Sequence, residues 1–135
     1  MVIEQQNKES YMELCDQTED IRMETRSLVL SIANYQDDWD GYGAIRPLSE
    51  CLSHALDIIG NSHISLNNLS DIYPNPNGTI TIEWEQNGNE IGLELGNREF
   101  SYYVHIGYLH SYNNKKQYNE DEIAQLAEYV SWLDN

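Results

Sequence analysis

Basic residues are scarce in this chain of 135 residues, which has 7 Lys and Arg against 23 Asp and Glu and a formal net charge of −16. Proteins that bind nucleic acid neutralise the phosphate backbone with Lys and Arg, and anionic membrane surfaces attract the same residues. We therefore expect neither nucleic acid nor a membrane as a direct partner. The charge instead favours a basic protein as the partner.

Cysteine and long apolar runs are also scarce. The two cysteines, Cys15 and Cys51, have neither the number of a disulfide framework nor the spacing of a zinc site, and their apolar neighbours predict buried thiols. No apolar run approaches the ~20 residues of a membrane helix, and residues 1–10 lack the apolar stretch of a secretory signal. These absences predict a cytoplasmic protein. Its length predicts one domain over residues 1–135, of which residues 1–9 are a candidate for disorder.

Three segments have the apolar period of an amphipathic helix. The first helix is expected to end at Gln36. The second is expected to begin at Pro47, because proline suits the first helical turn, and to end at Gly60. Asn119 is the expected N-cap of the third helix. The apolar stripes are Ile21, Leu28, Ile32 and Tyr35 in the first segment and Ile123, Leu126, Ala127, Val130 and Leu133 in the third.

An alternating apolar pattern over residues 80–95 predicts an antiparallel hairpin. Asn87-Gly88 is the strongest short signal for a two-residue type I′ turn. A turn at this position places every apolar residue of one strand opposite an apolar residue of the other. The predicted pairs are Trp84–Ile91, Ile82–Leu93 and Ile80–Leu95.

Together these patterns predict an α+β fold. A third strand over residues 100–106 extends the meander and places Tyr103 opposite Gly92, where its ring can cover the bare backbone. The segment Asp71–Tyr73 is a candidate for a fourth strand. The predicted fold has two N-terminal helices, an antiparallel meander of three to four strands and a C-terminal helix, with the helices on one face of the sheet.

Two segments of the chain resemble a known group of proteins. Residues 39–44, with the sequence WDGYGA, are followed by a proline, a helix and the segment PNGxIxxEW at residues 76–84. This arrangement resembles a widespread group of small bacterial proteins of about this length that has no assigned function. The resemblance implies a bacterial source, and it implies that the WDGYGA loop matters for structure, for binding or for both.

The WDGYGA loop is the first candidate site. Counting Asp38 as the first position of a twelve-residue calcium loop puts Asp40 at a ligand position, but Tyr42 and Ser49 stand where oxygen ligands are required. Calcium is therefore not expected. We expect a structural loop, in which Trp39 and Tyr42 fill the core and aspartates cap the turn. The alternative is a partner-binding site formed by Asp38, Trp39, Asp40 and Tyr42.

The polar face of the meander is the second candidate site. The predicted register places Glu85 opposite Glu90 and Glu90 opposite His105. Opposed like charges cost stability in a sheet. The row is compatible with a patch for a basic partner, with a solvated surface, or with a divalent metal held by Glu85, Glu90 and His105. The candidate binding residues on this face are Glu83, Glu85, Glu90, Glu94, Tyr103 and His105.

The chain shows no catalytic constellation. Gly41-Tyr42-Gly43 lacks the preceding strand of a phosphate-binding loop, and no cofactor is expected. The sequence therefore predicts an acidic interaction module of a bacterium, such as an inhibitor, antitoxin or immunity protein that binds a basic partner. The alternative is a small metal-dependent or hydrolytic enzyme that uses Glu85, Glu90 and His105. Homodimerisation is left open.

Overall fold

The computed structural model describes residues 19–134, which form three helices and five strands. Helix α1 covers residues 19–32 of the described part, and α2 and α3 are Ser49–Gly60 and Glu120–Trp132. The predictions for Cys15 and for residues 1–9 lie outside the described residues. The strands are β1 (Leu69–Pro74), β2 (Ile80–Gln86), β3 (Asn89–Leu95), β4 (Glu99–Ile106) and β5 (Leu109–Gln117).

The strands form an antiparallel sheet in the order β1-β2-β3-β4-β5. Every predicted pair between β2 and β3 is present, including Trp84 opposite Ile91. Both residues of the Asn87-Gly88 turn have the positive φ angles that a type I′ turn requires. The predicted fourth strand at Asp71–Tyr73 is confirmed as part of β1.

The prediction of three to four strands is wrong, because the sheet has a fifth strand, β5. This strand lies at an edge and pairs only with β4, so that Tyr112 lies opposite Tyr103. Most of its residues are exposed, and an edge strand that gains its order from backbone pairing needs no apolar alternation. One sequence signal for β5 was available. Gly107 begins the two-residue connection between Ile106 and Leu109, and its φ of 58° is typical of a hairpin turn.

The helices pack on one face of the sheet, as predicted. One apolar cluster contains buried residues of all three helices and of β1 to β4. Trp84 lies in this cluster with no exposed surface, and its indole Nε1 donates a hydrogen bond to the carbonyl oxygen of Ser65 at 3.0 Å. Helix α3 begins at the predicted N-cap, where the Asn119 side chain accepts from the amide of Glu122. The whole predicted stripe of this helix is buried: Ile123, Leu126, Ala127, Val130 and Leu133.

The face of α1 that packs on the core differs from the predicted one. Only Ile32 of the predicted stripe is buried, and the other buried positions are Thr25 and Val29. The Arg22 guanidinium donates to the carbonyl oxygen of Ile59 at the end of α2, and Arg22 lies three residues before Thr25, on the face of α1 that is buried. The exposed members of the predicted stripe are Ile21, Leu28 and Tyr35.

Helix α2 begins at Ser49 rather than at the predicted Pro47. The backbone amide of Leu48 donates to the carbonyl oxygen of Gly78 at 3.0 Å, so this residue is held by the β1–β2 turn before the helix starts. The predicted buried thiol is confirmed at Cys51. Burial raises the pKa of the Cys51 thiol, which makes it a poor nucleophile.

Candidate functional site

The aspartates of the WDGYGA loop bind the backbone of the loop itself. The amide of Asp38 donates to the carbonyl oxygen of Ala44 at 2.6 Å, and its carboxylate accepts from the amide of Gly43 at 2.7 Å. The Asp40 carboxylate accepts from the amides of Tyr42 and Ala44. These bonds support the structural interpretation, because both aspartates hold the backbone of the loop in its folded conformation.

Asp37 closes the loop from its other end. Its carboxylate accepts from the backbone amide of Arg46 at 2.9 Å, and the Arg46 guanidinium lies 3.4 Å away. The backbone hydrogen bond, followed by the guanidinium, lowers the pKa of Asp37 below its ordinary value. Within residues 19–134, no group of three His, Cys, Asp or Glu side chains is arranged to hold a metal ion.

The two aromatic residues of the loop have different environments. Trp39 is half-buried, donates from its Nε1 atom to the carbonyl oxygen of Ile45 at 3.0 Å, and packs against the ring of Tyr35. Tyr42 is 93% exposed. The prediction that Tyr42 fills the core is therefore wrong, because the loop presents this residue at its tip.

The two segments that carry the family resemblance contact each other. The amide of Ile45, just after WDGYGA, donates to the carbonyl oxygen of Pro76 in the β1–β2 turn at 2.9 Å. Gly78 of the same turn has φ 87°, and a Cβ atom at this position would lie 2.9 Å from Cγ of Leu48. Only glycine satisfies both the positive φ angle and the close approach. The contact joins the WDGYGA loop to the β1–β2 turn.

The second candidate site is the outer face of the sheet, which we define as the face opposite the helices. No lysine or arginine occurs in β1, β2, β3 or β4. The registers of the five strands bring the side chains of this face together in three cross-strand rows. The residues at its outward positions are Asp71, Tyr73, Thr81, Glu83, Glu85, Glu90, Gly92, Glu94, Ser101, Tyr103, His105, His110 and Tyr112.

The row that contains the predicted metal ligands forms a partial cluster. Glu85 lies opposite Glu90, and Glu90 lies opposite His105, in the predicted register. The Glu90 carboxylate is 3.5 Å from Nδ1 of His105, whose Nε2 is 2.9 Å from the hydroxyl of Tyr112. The His105 ring also stacks on His110, with ring centroids 4.6 Å apart. Both nitrogens of His105 are thus engaged by protein groups, which disfavours metal coordination there.

The middle row contains a gap at Gly92, because glycine has no side chain. Tyr103 lies opposite this glycine, and its ring fills the space that a Cβ atom of residue 92 would occupy. The predicted cover of the glycine is confirmed. On the other side of Gly92, Glu83 accepts a hydrogen bond of 2.5 Å from the hydroxyl of Tyr73.

A depression of about 580 Å³ lies over this gap. We call it the tyrosine pocket. All of the residues that line it belong to the five strands, and the side chains used below are Tyr73, Glu83, Glu94, Tyr103 and Tyr112. A groove of about 990 Å³ between α2 and α3 is larger, but none of the site residues predicted from the sequence lines it.

The carboxylates impose a negative potential on the tyrosine pocket. The hydrogen bond to Glu83, together with burial and the charge of Glu83, raises the pKa of Tyr73 to about 12. Burial, followed by the charges of Glu90 and Glu83, raises the pKa of Tyr103. Both shifts oppose the formation of a further negative charge, and the same potential favours the approach of a cation.

Sequence analysis overlooked two of the tyrosines in this pocket. Tyr73 was within reach, because the Asp71–Tyr73 strand was predicted and its pairing places Tyr73 beside Thr81. Tyr112 belongs to a tyrosine-rich stretch typical of interfaces, but it could not be placed in the sheet because it lies on β5, the strand that sequence analysis missed. The sequence-predicted residues on the outer face lie together, whereas those of the WDGYGA loop form a separate cluster beside the β1–β2 turn.

No family model, curated protein or solved structure matches this chain. No helix among residues 19–134 has the length and apolar character needed to cross a membrane.

Proposed function

We propose that this protein is an acidic interaction module that binds a basic protein through the outer face of its sheet. The observation that carries the proposal is the composition of this face: five carboxylates lie beside tyrosine and histidine rings, and β1 to β4 contribute no lysine or arginine. Tyrosine rings supply large contact areas with few rotatable bonds, which suits a protein interface.

The net charge supports the same partner class. A formal charge of −16 accelerates association with a basic surface and makes the association rate fall as salt rises. Inhibitors, antitoxins and immunity proteins are small proteins that act by covering a partner, so a basic toxin or enzyme is the partner we propose. The family resemblance, with its implied bacterial source, is consistent with that role.

The experiment compares two variants of equal net charge. The outer-face variant carries Glu83→Gln, Glu85→Gln, Glu90→Gln and Glu94→Gln. The control carries Glu24→Gln, Glu50→Gln, Asp57→Asn and Glu128→Gln, all at exposed positions outside the sheet. A basic protein captured from a bacterial extract by the wild type is purified, and its Kd for each variant is measured by calorimetry at two salt concentrations.

We expect the outer-face variant to bind at least about tenfold more weakly than the control, which corresponds to the loss of a few close charge pairs. The control should bind only slightly more weakly than the wild type, because its net charge is less negative. Equal weakening of both variants, or binding that does not depend on salt, would contradict the use of the outer face.

A further inference from the structure

The tyrosine pocket has the chemistry of a site for one cationic side chain. We propose that it binds the guanidinium group of an arginine that the basic partner inserts beside the Tyr103 ring, which covers Gly92. This inference rests on the proposed function and deepens it, because it selects one anchor residue within a broad acidic surface. Arginine is among the residues that most often dominate the energy of protein interfaces.

Two carboxylates of the pocket are held ready to accept hydrogen bonds. One oxygen of Glu83 accepts from the hydroxyl of Tyr73. One oxygen of Glu94 lies 2.7 Å from the hydroxyl of Thr79, whose single hydrogen is shared between Glu94 and Oδ1 of Asn77. The second oxygen of each carboxylate has no hydrogen-bond partner among residues 19–134. Each carboxylate is thus oriented by one neighbour and keeps an acceptor for a ligand.

The spacing of the carboxylates suits a forked cation. Glu83 lies opposite Gly92, and Glu94 follows two residues later on β3, so the carboxylates belong to diagonal positions of adjacent strands. Cβ atoms in such positions are separated by roughly 7–8 Å or somewhat less. A guanidinium group placed between them can donate to both, because its five N–H groups point in fixed and different directions.

The tyrosine rings provide the surface against which a guanidinium can stack. The Tyr103 ring lies across Gly92, where Cε1 and Cζ are 2.3 and 2.5 Å from the position of a Cβ atom. Tyr112 lies opposite Tyr103 on the edge strand and is 71% exposed. Cations are attracted to aromatic faces within about 6 Å of the ring centroid, and arginine makes this contact more often than lysine.

These features favour arginine over lysine. The guanidinium group is planar and weakly hydrated, so it can contact a ring and two carboxylates at once, whereas the lysine ammonium is a compact and strongly hydrated point charge. The charge of Glu83 contributes to the raised pKa values of Tyr73 and Tyr103, after a hydrogen bond in the first case and burial in the second, and the same charge would attract either cation. The aromatic surface is therefore the feature that discriminates between them.

A titration with short peptides tests the proposal without the natural partner. The probes are three capped pentapeptides, Gly-Gly-X-Gly-Gly, in which X is arginine, lysine or norleucine. Amide chemical shifts are followed by NMR on uniformly labelled protein. We expect the arginine peptide to give saturable shifts centred on Gly92 and Glu94, about fivefold tighter binding than the lysine peptide, and no binding of the norleucine peptide.

Two variants of equal charge locate the site. Glu83→Gln/Glu94→Gln should abolish the saturable shifts, whereas Glu24→Gln/Glu128→Gln, at exposed positions outside the sheet, should retain them within about twofold. Thermal unfolding checks that both variants fold. A third variant, Tyr103→Leu, keeps the net charge and should bind the arginine and lysine peptides equally. Shifts spread evenly over the acidic surface, or equal affinity for arginine and lysine, would overturn the proposal.

The outcome separates this inference from the proposed function. If a basic protein loses affinity for the outer-face variant but the arginine peptide shows no localised binding, the pocket proposal fails and the proposed function stands. If the peptide binds at the pocket but basic proteins bind the outer-face variant and its control equally, the pocket proposal stands and the proposed function fails.

Discussion

Tyr103 occupies the space that a side chain at residue 92 would need: a Cβ atom on Gly92 would lie 2.3 Å from Cε1 of the Tyr103 ring. The two residues face each other across β3 and β4. The ring restores contact to a strand position at which glycine alone would leave the backbone bare. This relationship shapes the tyrosine pocket, because the ring lies over the strand instead of extending into solvent.

The contact between these residues predicts energetic coupling. In a double-mutant cycle of Gly92→Ala and Tyr103→Ala, we expect a coupling free energy of about 0.5–1 kcal/mol, within the range of cross-strand pairs. Tyr103→Ala should lower the free energy of unfolding more when residue 92 is glycine than when it is alanine. The reason is that only glycine lets the ring cover the backbone. Urea denaturation of the four proteins measures the cycle. Strict additivity would show that the ring and the glycine do not interact.

The two tryptophans predict unequal losses of stability. Trp84→Ala should lower the free energy of unfolding by about 3–5 kcal/mol, because it removes a fully buried side chain. Trp39→Ala should cost about 1–2 kcal/mol, since this residue is half-buried and makes one hydrogen bond. Denaturant unfolding followed by circular dichroism measures both. If Trp39→Ala loses little stability but weakens partner binding, the WDGYGA loop is a binding site rather than a structural element.

We expect that removing the hydroxyl of Tyr102 does not destabilise the folded protein. This oxygen is buried and has no hydrogen-bond partner within residues 19–134. Tyr102→Phe should therefore leave the free energy of unfolding unchanged or raise it by up to about 1 kcal/mol. The matched change Tyr73→Phe removes the hydrogen bond to Glu83 and should lower it by about 1 kcal/mol. If Tyr102→Phe proves the more costly of the two, its hydroxyl has an acceptor after all.

The tyrosines predict a loss of stability at alkaline pH. The pKa is raised to about 12 at Tyr73, where the hydrogen bond to Glu83 is the main cause, and at Tyr102 and Tyr118, where burial is. A folded-state pKa above the ordinary value of 10.0 means that the fold favours the neutral phenol. This stabilisation is complete below pH 10 and is lost as the pH rises from about 10 through about 12.

A spectrophotometric titration of tyrosinate measures this effect. The folded protein should show a late ionisation step that is absent from the protein unfolded in urea. Tyr73→Phe should reduce the amplitude of that step by one tyrosine. A single step at the ordinary pKa in the folded protein would contradict the assignment.

Zinc provides a test of the enzyme alternative. Glu90 and His105 are close, but the Glu85 carboxylate accepts a hydrogen bond from the amide of Gly88 in its own turn, at 3.4 Å. We therefore expect no rise in Tm when Zn²⁺ is added, because a metal that binds only the folded state must raise it. Differential scanning fluorimetry measures the shift, with EDTA as the reference. A rise that Glu90→Gln abolishes would establish a metal site and favour a metal-dependent activity.

Local signals predicted the central part of the sheet and the last helix. The Asn87-Gly88 turn set the register of Trp84 and Ile91, because a two-residue turn leaves only one alignment of apolar pairs. Asn119 marked the start of α3, since its side chain caps the backbone three residues later. In both cases the determining interaction joins residues that are close in sequence.

Long-range contacts decided the parts that sequence analysis missed. The buried face of α1 contacts the distant α2, to which Arg22 donates a hydrogen bond, and β5 pairs with β4 through its backbone without burying an apolar stripe. No local pattern encodes the contact of Arg22, and the turn that begins at Gly107 is a weak local signal for β5.

The candidate site was also predicted in part from local patterns and decided in part by long-range contacts. The sequence by itself determined that Glu85, Glu90 and His105 share one row and that Tyr103 lies opposite Gly92, because alternation and turn position dictate which residues meet across neighbouring strands. Only the tertiary structure decided that Tyr73 orients Glu83 and that Tyr112 joins the same pocket. Tyr73 and Tyr112 belong to the two edge strands, β1 and β5. Backbone pairing with β2 and β4 sets the positions of these strands in the sheet, and such pairing leaves little trace in the amino-acid pattern.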